Sequence, residues 1–346
     1  MGRFKAKTIS RYSLKKRYIF FLTIISSVII YALAQLMPVS LYKNSKCISV
    51  QKGWSASKIS AVLEREGVIR SRTAFKILSK VRGGQFMAGE YELSPSMTPW
   101  RIIAKIKTGK VFSRPVTIPE GYTLRQISKL LESKGLAVEK NIARLCVDPV
   151  FIKTCGLDVS SLEGYLFPST YYITRDMQEK EILQLMVKEL KKTVAKNEID
   201  KEMAEKKMNL FDVIRLASII EREAETDFDR PLIASVFTNR LNAKMKLESC
   251  ATVVYAFNKK EMDKNRLTNK DLTIDSPYNT YLHYGLPPGP ICNPGLRSIK
   301  AALAPQKTKK LFFVLNTDGS RSHIFSETWA EHQTARKTVM RKGEIK

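Results

Sequence analysis

Histidine and cysteine are scarce in these 346 residues, three and five copies, and that scarcity narrows the available chemistry. His283, His323 and His332 show no H-E-x-x-H or other ligand spacing, and Cys47, Cys146, Cys155, Cys250 and Cys292 include no C-x-x-C pair. No resident metal and no cofactor are therefore expected. Cys146 and Cys155 are near enough in sequence to bridge in an oxidising compartment; scattered buried thiols are the alternative. No G-x-S-x-G nucleophile elbow occurs. Acids are also short, 33 against 59 Lys and Arg for a net charge of +26, and none precedes Glu64. A basic surface suits a polyanion, but nothing resembles a nucleic-acid module, so nucleic acid is not an expected partner. Long apolar runs are missing with one exception. Residues 18–37, YIFFLTIISSVIIYALAQLM, carry no charge over about 20 residues, enough to cross a bilayer as a helix. Seven basic residues crowd positions 1–17, which argues for a cytoplasmic N-terminus and an exported body. Ala32-Leu33-Ala34 resembles a signal-peptide cleavage site; the run continues to Met37, which favours a retained anchor.

Beyond the anchor the chain contains a repeat. Residues 48–69 align without gaps on residues 116–137, pairing Gly53 with Gly121, Trp54 with Tyr122, Ile59 with Ile127, Leu63 with Leu131, Glu64 with Glu132 and Gly67 with Gly135. Each copy reads as a short strand, a turn at the first Gly, a helix capped near Ser55 or Thr123, and a closing Gly. The first copy continues through a helix over 72–81, a strand over 89–93 and a helix from Thr98 to Lys107. That order resembles a LysM-like module, a strand–helix–helix–strand unit that binds N-acetylglucosamine-containing chains; a spacer with a small core is the competing reading. The chain is thus expected to be α+β: a basic segment at 1–17, a transmembrane helix at 18–37, a LysM-like subdomain at 46–112, and a larger mixed α+β catalytic domain at 115–346. Within the last, helices are expected over 179–196, 210–226 and 231–242. Strands over 311–316 and 322–325 should meet at an Asp318-Gly319 turn, and a closing helix should start near Thr328.

The 210–226 helix carries the sharpest chemical clue. With Asn209 as N-cap, about 100° per residue puts Leu210, Ile214, Ala217, Ser218 and Glu221 on one stripe. A carboxyl on a packed stripe is desolvated, which should raise its pKa and let it hold a proton for general-acid cleavage of a glycosidic bond. The plain alternative is a Glu turned to solvent or paired with Arg222 or Arg240. Elsewhere, LEGYLFPSTYYI (162–173) combines Glu163 and Tyr165 with further aromatics, and SPYNTYLHYGLPPGPICNPGLRSIKAAL (276–303) offers Tyr278, Asn279, Thr280 and Tyr281 on a proline-stiffened loop. Sugar sites need flat aromatic faces and amide or hydroxyl partners, which such a loop supplies; plain packing on a core would use the same residues.

Four blocks in one order, TIPEGYT, LEGYLFPSTY, ASIIERE and SPYNTYLHYGLPPGPICNP, resemble the endolytic murein transglycosylases of the bacterial cytoplasmic membrane. The resemblance implies that Glu221 is the catalytic acid and that Glu223 is auxiliary or structural. A family segment L-Q-S-D-P-T-V-x-Y is matched by residues 247–255, with Glu248, Cys250 and Ala251 as departures; Ser169 replaces an Asp in the second block. It also implies a substrate-binding set of Glu163, Tyr165, Ser249, Thr252, Tyr278, Asn279, Thr280 and Tyr281. In the implied reaction Glu221 protonates the oxygen between N-acetylmuramic acid and N-acetylglucosamine, then takes the proton of the muramyl C6 hydroxyl as that oxygen closes a 1,6-anhydro ring. Ser249, Thr252, Asn279 and Thr280 would orient the sugar. The implied location is the inner membrane, single-pass, with the catalytic domain on the periplasmic side. The implied partners are peptidoglycan glycan strands, the membrane and peptidoglycan synthases of the elongation or division machinery. A hydrolytic muramidase, which ordinarily uses two carboxyls, and a non-catalytic wall-binding scaffold remain as alternatives, the latter resting on the Ser169, Cys250 and Ala251 departures.

Overall fold

The structure, a computed structural model, describes residues 10–257 and 267–344, with side chains over 18–257 and 267–340. The basic segment at 1–17 therefore lies outside the described residues except for the backbone from Ser10. The first helix, α1 (Ser10–Ala34), ends three residues before Met37, and a turn precedes Pro38. Its large apolar side chains from Tyr18 to Leu33 are exposed. Among the described residues no helix is long and apolar enough to cross a membrane.

Contacts divide the chain into two compact units. One runs to Arg114 and adds Thr174–Asp176; the other holds Pro115–Ile173 and Met177 onward. In the first, β1 (Lys46–Val50) pairs antiparallel with β2 (Gly89–Leu93), Lys46 opposite Leu93 and Val50 opposite Gly89. Period-two alternation turns Ile48, Val50, Tyr91 and Leu93 inward. Helices α2 (Ala56–Arg65), α3 (Arg72–Val81) and α4 (Pro99–Lys107) close over them, sinking Ile59, Leu63, Phe75, Ile102, Ile103 and Ile106 into one core. Just beyond α1 the chain is fastened to this unit. The Arg70 guanidinium donates to Pro38 O at 2.9 and 3.0 Å and to Val39 O at 3.2 Å, and Val39 N–H donates to Pro95 O at 2.8 Å.

The second unit opens with the other repeat copy, β3 (Arg114–Thr117) leading to α5 (Leu124–Ser133). The copies agree in detail. Ser55 and Thr123 cap their helices, Gly53 and Gly121 sit at φ +82° and +75°, and Gly67 and Gly135 at +67° and +64°. Strand β3 pairs with β4 (Thr170–Ile173), a strand inside the aromatic block that local patterning did not reveal. Two short helices, α6 (Glu139–Leu145) and α7 (Pro149–Thr154), and the long α8 (Glu179–Lys196) pack on that ladder around Ile118, Ile127, Leu131, Ile173 and Met186. After α9 (Ile199–Glu205) comes α10 (Leu210–Glu223), the centre of the second core of this unit. Asn209 caps it, accepting from Asp212 N–H at 2.8 Å while donating to the Asp212 carboxylate at 2.8 Å. Val213, Ile214, Ala217, Ser218, Ile219 and Ile220 are all fully buried. Packed around it are α11 (Arg230–Asn242), α12 (Cys250–Ala256) and α13 (Leu296–Leu303), and the hairpin β5 (Phe312–Leu315) and β6 (His323–Ser326) leads to α14 (Trp329–Glu344).

Candidate active site

The last turn of α10 carries two glutamates two residues apart, hence on different sides of the helix. Glu221 faces the start of α13. Its Oε2 accepts the Gly295 N–H at 3.0 Å and its Oε1 accepts from Arg230 at 3.1 Å, and its side chain is only 5% exposed. The burial read from the helical stripe is present, but the neighbour is a guanidinium rather than an apolar wall. The partner is Arg230, at the first position of α11, not Arg222 or Arg240; the latter donates to Leu311 O, Leu247 O and Glu248. Arg230 in turn contacts Ser298 and donates to Asp227 at 3.1 Å. Gly295 is the N-cap of α13, so the positive end of that helix points at Glu221.

Glu223 turns the other way. It accepts from Ser249 Oγ at 2.6 Å and from Ala251 N–H at 3.3 Å, at the start of α12. Thr280 Oγ1 accepts the Ser249 N–H at 3.0 Å and lies 2.9 Å from Thr252 Oγ1, which donates to Ser249 O at 2.7 Å. Ser249, Thr252, Thr280 and Glu223 are all buried. Asn279 is wholly buried as well; its amide donates to Leu272 O and Ile274 O, both at 2.9 Å, and its oxygen accepts the Tyr281 N–H. The four expected sugar partners, Ser249, Thr252, Asn279 and Thr280, are bonded to one another, to Glu223 and to backbone, and form a buried floor. Residue type alone does not separate a sugar ligand from a buried structural group. The physical reason is general: hydroxyls and amides are also what satisfies buried backbone groups.

Glu163 and Tyr165 are likewise buried among protein groups. Tyr165 is buried in the α10 core, and burial pushes its phenol pKa up. Glu163 is a buried hub: Leu124 N–H at the start of α5 donates to both its oxygens (2.9 and 3.1 Å), Asn293 Nδ2 to Oε1 (3.1 Å) and Tyr255 OH to Oε2 (3.3 Å). Desolvation pushes its pKa up to about 8, against those donors, which pull it down. Tyr278 and Tyr281 are half-buried. The Tyr278 ring packs on Tyr255 at 4.9 Å, and the Tyr281 hydroxyl lies 3.1 Å from Cys250 Sγ, the thiol standing where the resembled family has an Asp.

Three residues outside the sequence-based set complete the site. Asn293 stitches the loop to the repeat turn: Gly121 N–H donates to its carbonyl at 2.9 Å, its own N–H donates to Tyr122 O at 2.9 Å, and its side-chain oxygen takes the Leu166 N–H. Arg230 pairs with Glu221. Glu120, the acid of TIPEGYT, stands beside Gly295. The signal for Glu120 was in plain view, a lone acid inside one of the four blocks. Arg230 had no comparable mark among 59 basic residues. A groove lined by Leu241, Lys244, Met245, Tyr284 and Gly285 has an exposed tyrosine face and no carboxyl in its lining.

Chemically, the junction of the TIPEGYT turn, the end of α10 and the start of α13 brings three carboxyls, Glu120, Glu221 and Asp227, and two arginines, Arg230 and Arg297, together. That set can hold and move a proton at a neighbouring oxygen. A sequence pattern described as the YceG-like family matches residues 48–338. The chain is 36% identical over 342 residues to the endolytic murein transglycosylase of Bacillus subtilis (strain 168), covering 93% of this chain and 92% of that protein. It is 30% identical over 323 residues to the protein of the same name from Streptococcus pneumoniae serotype 2 (strain D39 / NCTC 7466), spanning 84% of this chain and 58% of that longer relative. A crystal structure of a YceG-like protein from Listeria monocytogenes superposes with a TM-score of 0.59 at 36% identity, covering 85% of this chain and 100% of that one.

Proposed function

The chain belongs to the YceG-like family, and on that footing we propose that it is an endolytic murein transglycosylase, cutting glycan strands of peptidoglycan between N-acetylmuramic acid and N-acetylglucosamine. The observation that carries the reading is Glu221: a carboxyl 5% exposed, seated between a guanidinium and a helix N-terminus, beside the turn at Gly121. In the reaction the glycosidic oxygen gains a proton, the muramyl C6 hydroxyl loses one, and the C6 oxygen bonds to C1 to give a 1,6-anhydro end. Glu221 is the carboxyl on which this exchange turns. The buried lattice of Ser249, Thr252 and Thr280 beneath it keeps Glu223, and so the last turn of α10, in place. No external water enters, which is what separates this route from hydrolysis.

The exposed apolar stretch of α1 supports a retained single-pass anchor in the cytoplasmic membrane, with the two units outside and the N-terminus inside. An anchored enzyme reaches glycan near the bilayer, so nascent strands are its substrate and their length its product. Synthases of the elongation or division machinery are then natural partners, and the basic LysM-like unit a second contact to glycan.

A hydrolytic muramidase on the same scaffold has one observation behind it, the presence of Glu120 as a second carboxyl near Glu221. Mass spectrometry of digested un-crosslinked glycan separates the two. Anhydro-muramyl ends are expected, and Glu221→Gln should abolish them while glycan pull-down persists. Reducing ends alone would reject the transglycosylase, and an unchanged product profile from the variant would reject Glu221.

A further inference from the structure

Two acids meet at Gly295, and only one of them has so far a part in the chemistry. Glu120 occupies the turn after β3, and its carboxyl lies directly over Gly295: a Cβ added there would sit 2.0 Å from Oε1 and 2.2 Å from Cδ of Glu120. The same residue gives its N–H to Glu221 at 3.0 Å. Gly121, the next residue along, faces the other acid, with an added Cβ falling 3.6 Å from Cγ of Glu221. Gly295 has φ −76°, which any residue adopts, so its missing side chain answers to the space that Glu120 fills and not to backbone conformation. The two acids differ in access. Glu221 is enclosed and both its oxygens accept hydrogen bonds, whereas Glu120 is exposed.

Their surroundings differ as well. Desolvation, then the charge of Glu221, pushes the Glu120 carboxyl above its ordinary range, with Arg230 and Arg297 pulling it back and Asp227 adding to the rise. Glu221, by contrast, has a guanidinium and a helix N-terminus as immediate partners. Paired carboxyls in unlike surroundings divide acid and base duties.

Building on the transglycosylase reading, we infer that Glu120 is the second carboxyl of the active site and the proton donor to the leaving oxygen, with Glu221 the base for the C6 hydroxyl. As the bond from muramyl C1 to the glycosidic oxygen breaks, the Glu120 carboxyl gives its proton to that oxygen, which departs as the 4-hydroxyl of the next sugar. The C6 oxygen bonds to C1 and its proton passes to the Glu221 carboxylate. Glu120 ends ionised and Glu221 protonated, and transfer of that proton back to Glu120 resets the site. Nothing is oxidised or reduced and no water is consumed.

The test uses the full-length protein in detergent on two substrates: un-crosslinked glycan, and a muramyl oligosaccharide bearing 4-nitrophenyl on its terminal C1, a group that leaves without a proton. Glu120→Gln should lower kcat on glycan by about 100-fold or more, the scale of a lost general acid, leave KM near wild type and flatten the alkaline limb of the pH profile. It should still cleave the nitrophenyl substrate at close to the wild-type rate, and Glu120→Asp should restore part of the glycan activity. Gly295→Ala pushes a flexible carboxyl off its seat without straining the backbone, so it should show the same split between substrates. Glu221→Gln should fail on both. A Glu120→Gln enzyme with unchanged glycan turnover, or one impaired equally on both substrates, would overturn the assignment of Glu120 and leave the activity standing. A Glu221→Gln enzyme that cuts glycan like the wild type would instead reject Glu221 as the base, and a wild-type protein that leaves glycan uncut would bring down the activity itself.

Discussion

Glu163 is the residue whose surroundings speak most directly to a measurement. It is buried, bonded to a helix N-terminus, an asparagine and a tyrosine, and holds its proton up to about pH 8 because the charged form is desolvated. The sign follows from linkage. Below about 4.5 the folded and unfolded chains both carry the proton; between there and about 8 only the folded chain does, so stability falls as pH rises through that window. Glu163→Gln, neutral at every pH, removes the slope. The melting temperature of the variant relative to wild type should therefore climb from pH 5 to pH 8, and a pH-independent difference would contradict this account. Glu221 shows what one-letter patterns convey and what they do not. The stripe on α10 was enough to tell that Glu221 is enclosed. It could not tell that Arg230, nine positions on, closes over it, because that pairing depends on where α11 starts. Ser249, Thr252, Asn279 and Thr280 suit sugar ligands by residue type, and only their positions show them bonded to Glu223, to one another and to buried backbone.

Among the elements, those governed by local signals were legible and those governed by distant partners were not. The boundaries of α3, β2 and α8 agree with the expected 72–81, 89–93 and 179–196, since caps and periodicity lie within the segment itself. Strand β4 escaped notice because its pairing is with β3, with Thr117 and Thr170 bonded across 53 positions. Helices α6 and α7 escaped because seven and six residues show too little of a 3.6-residue period. At this scale the loop-to-helix approach near Gly164 makes a prediction. Gly164 has φ +88°, and an added Cβ would fall 2.6 Å from Pro290 and 2.7 Å from Ile214, whereas Gly135 has φ +64° with open space around it. Both alanine variants incur left-handed strain of roughly 1–3 kcal/mol, but only Gly164→Ala adds overpacking, another ~1–3 kcal/mol. Thermal denaturation should show the larger loss at Gly164; equal losses would mean the 276–295 loop yields freely.

For the whole molecule, the expected behaviour is that of a basic enzyme held by one helix. The intact chain should sediment with membranes, resist extraction by high salt and yield to detergent, because burying apolar side chains is insensitive to screening. A chain shortened to residues 38–346 should be soluble and keep its fold, since its cores draw nothing from α1. Release of the intact chain by salt alone would contradict an inserted helix and favour a purely electrostatic hold by its +26 charge.

The fastening of Pro38 and Val39 by Arg70 has a bearing on reach. Ala34 ends the helix and Pro38 is already clamped, so only three residues join them, at most about 10 Å of chain, and their N–H groups fold back onto the helix end in a turn. On the anchored reading, a leash that short fixes the altitude of the first unit above the lipid. Cutting the Arg70 clamp would leave the Val39 and Ser40 bonds to Pro95 O as the remaining hold on that stretch, so only loss of both fastenings would let the enzyme graze older wall.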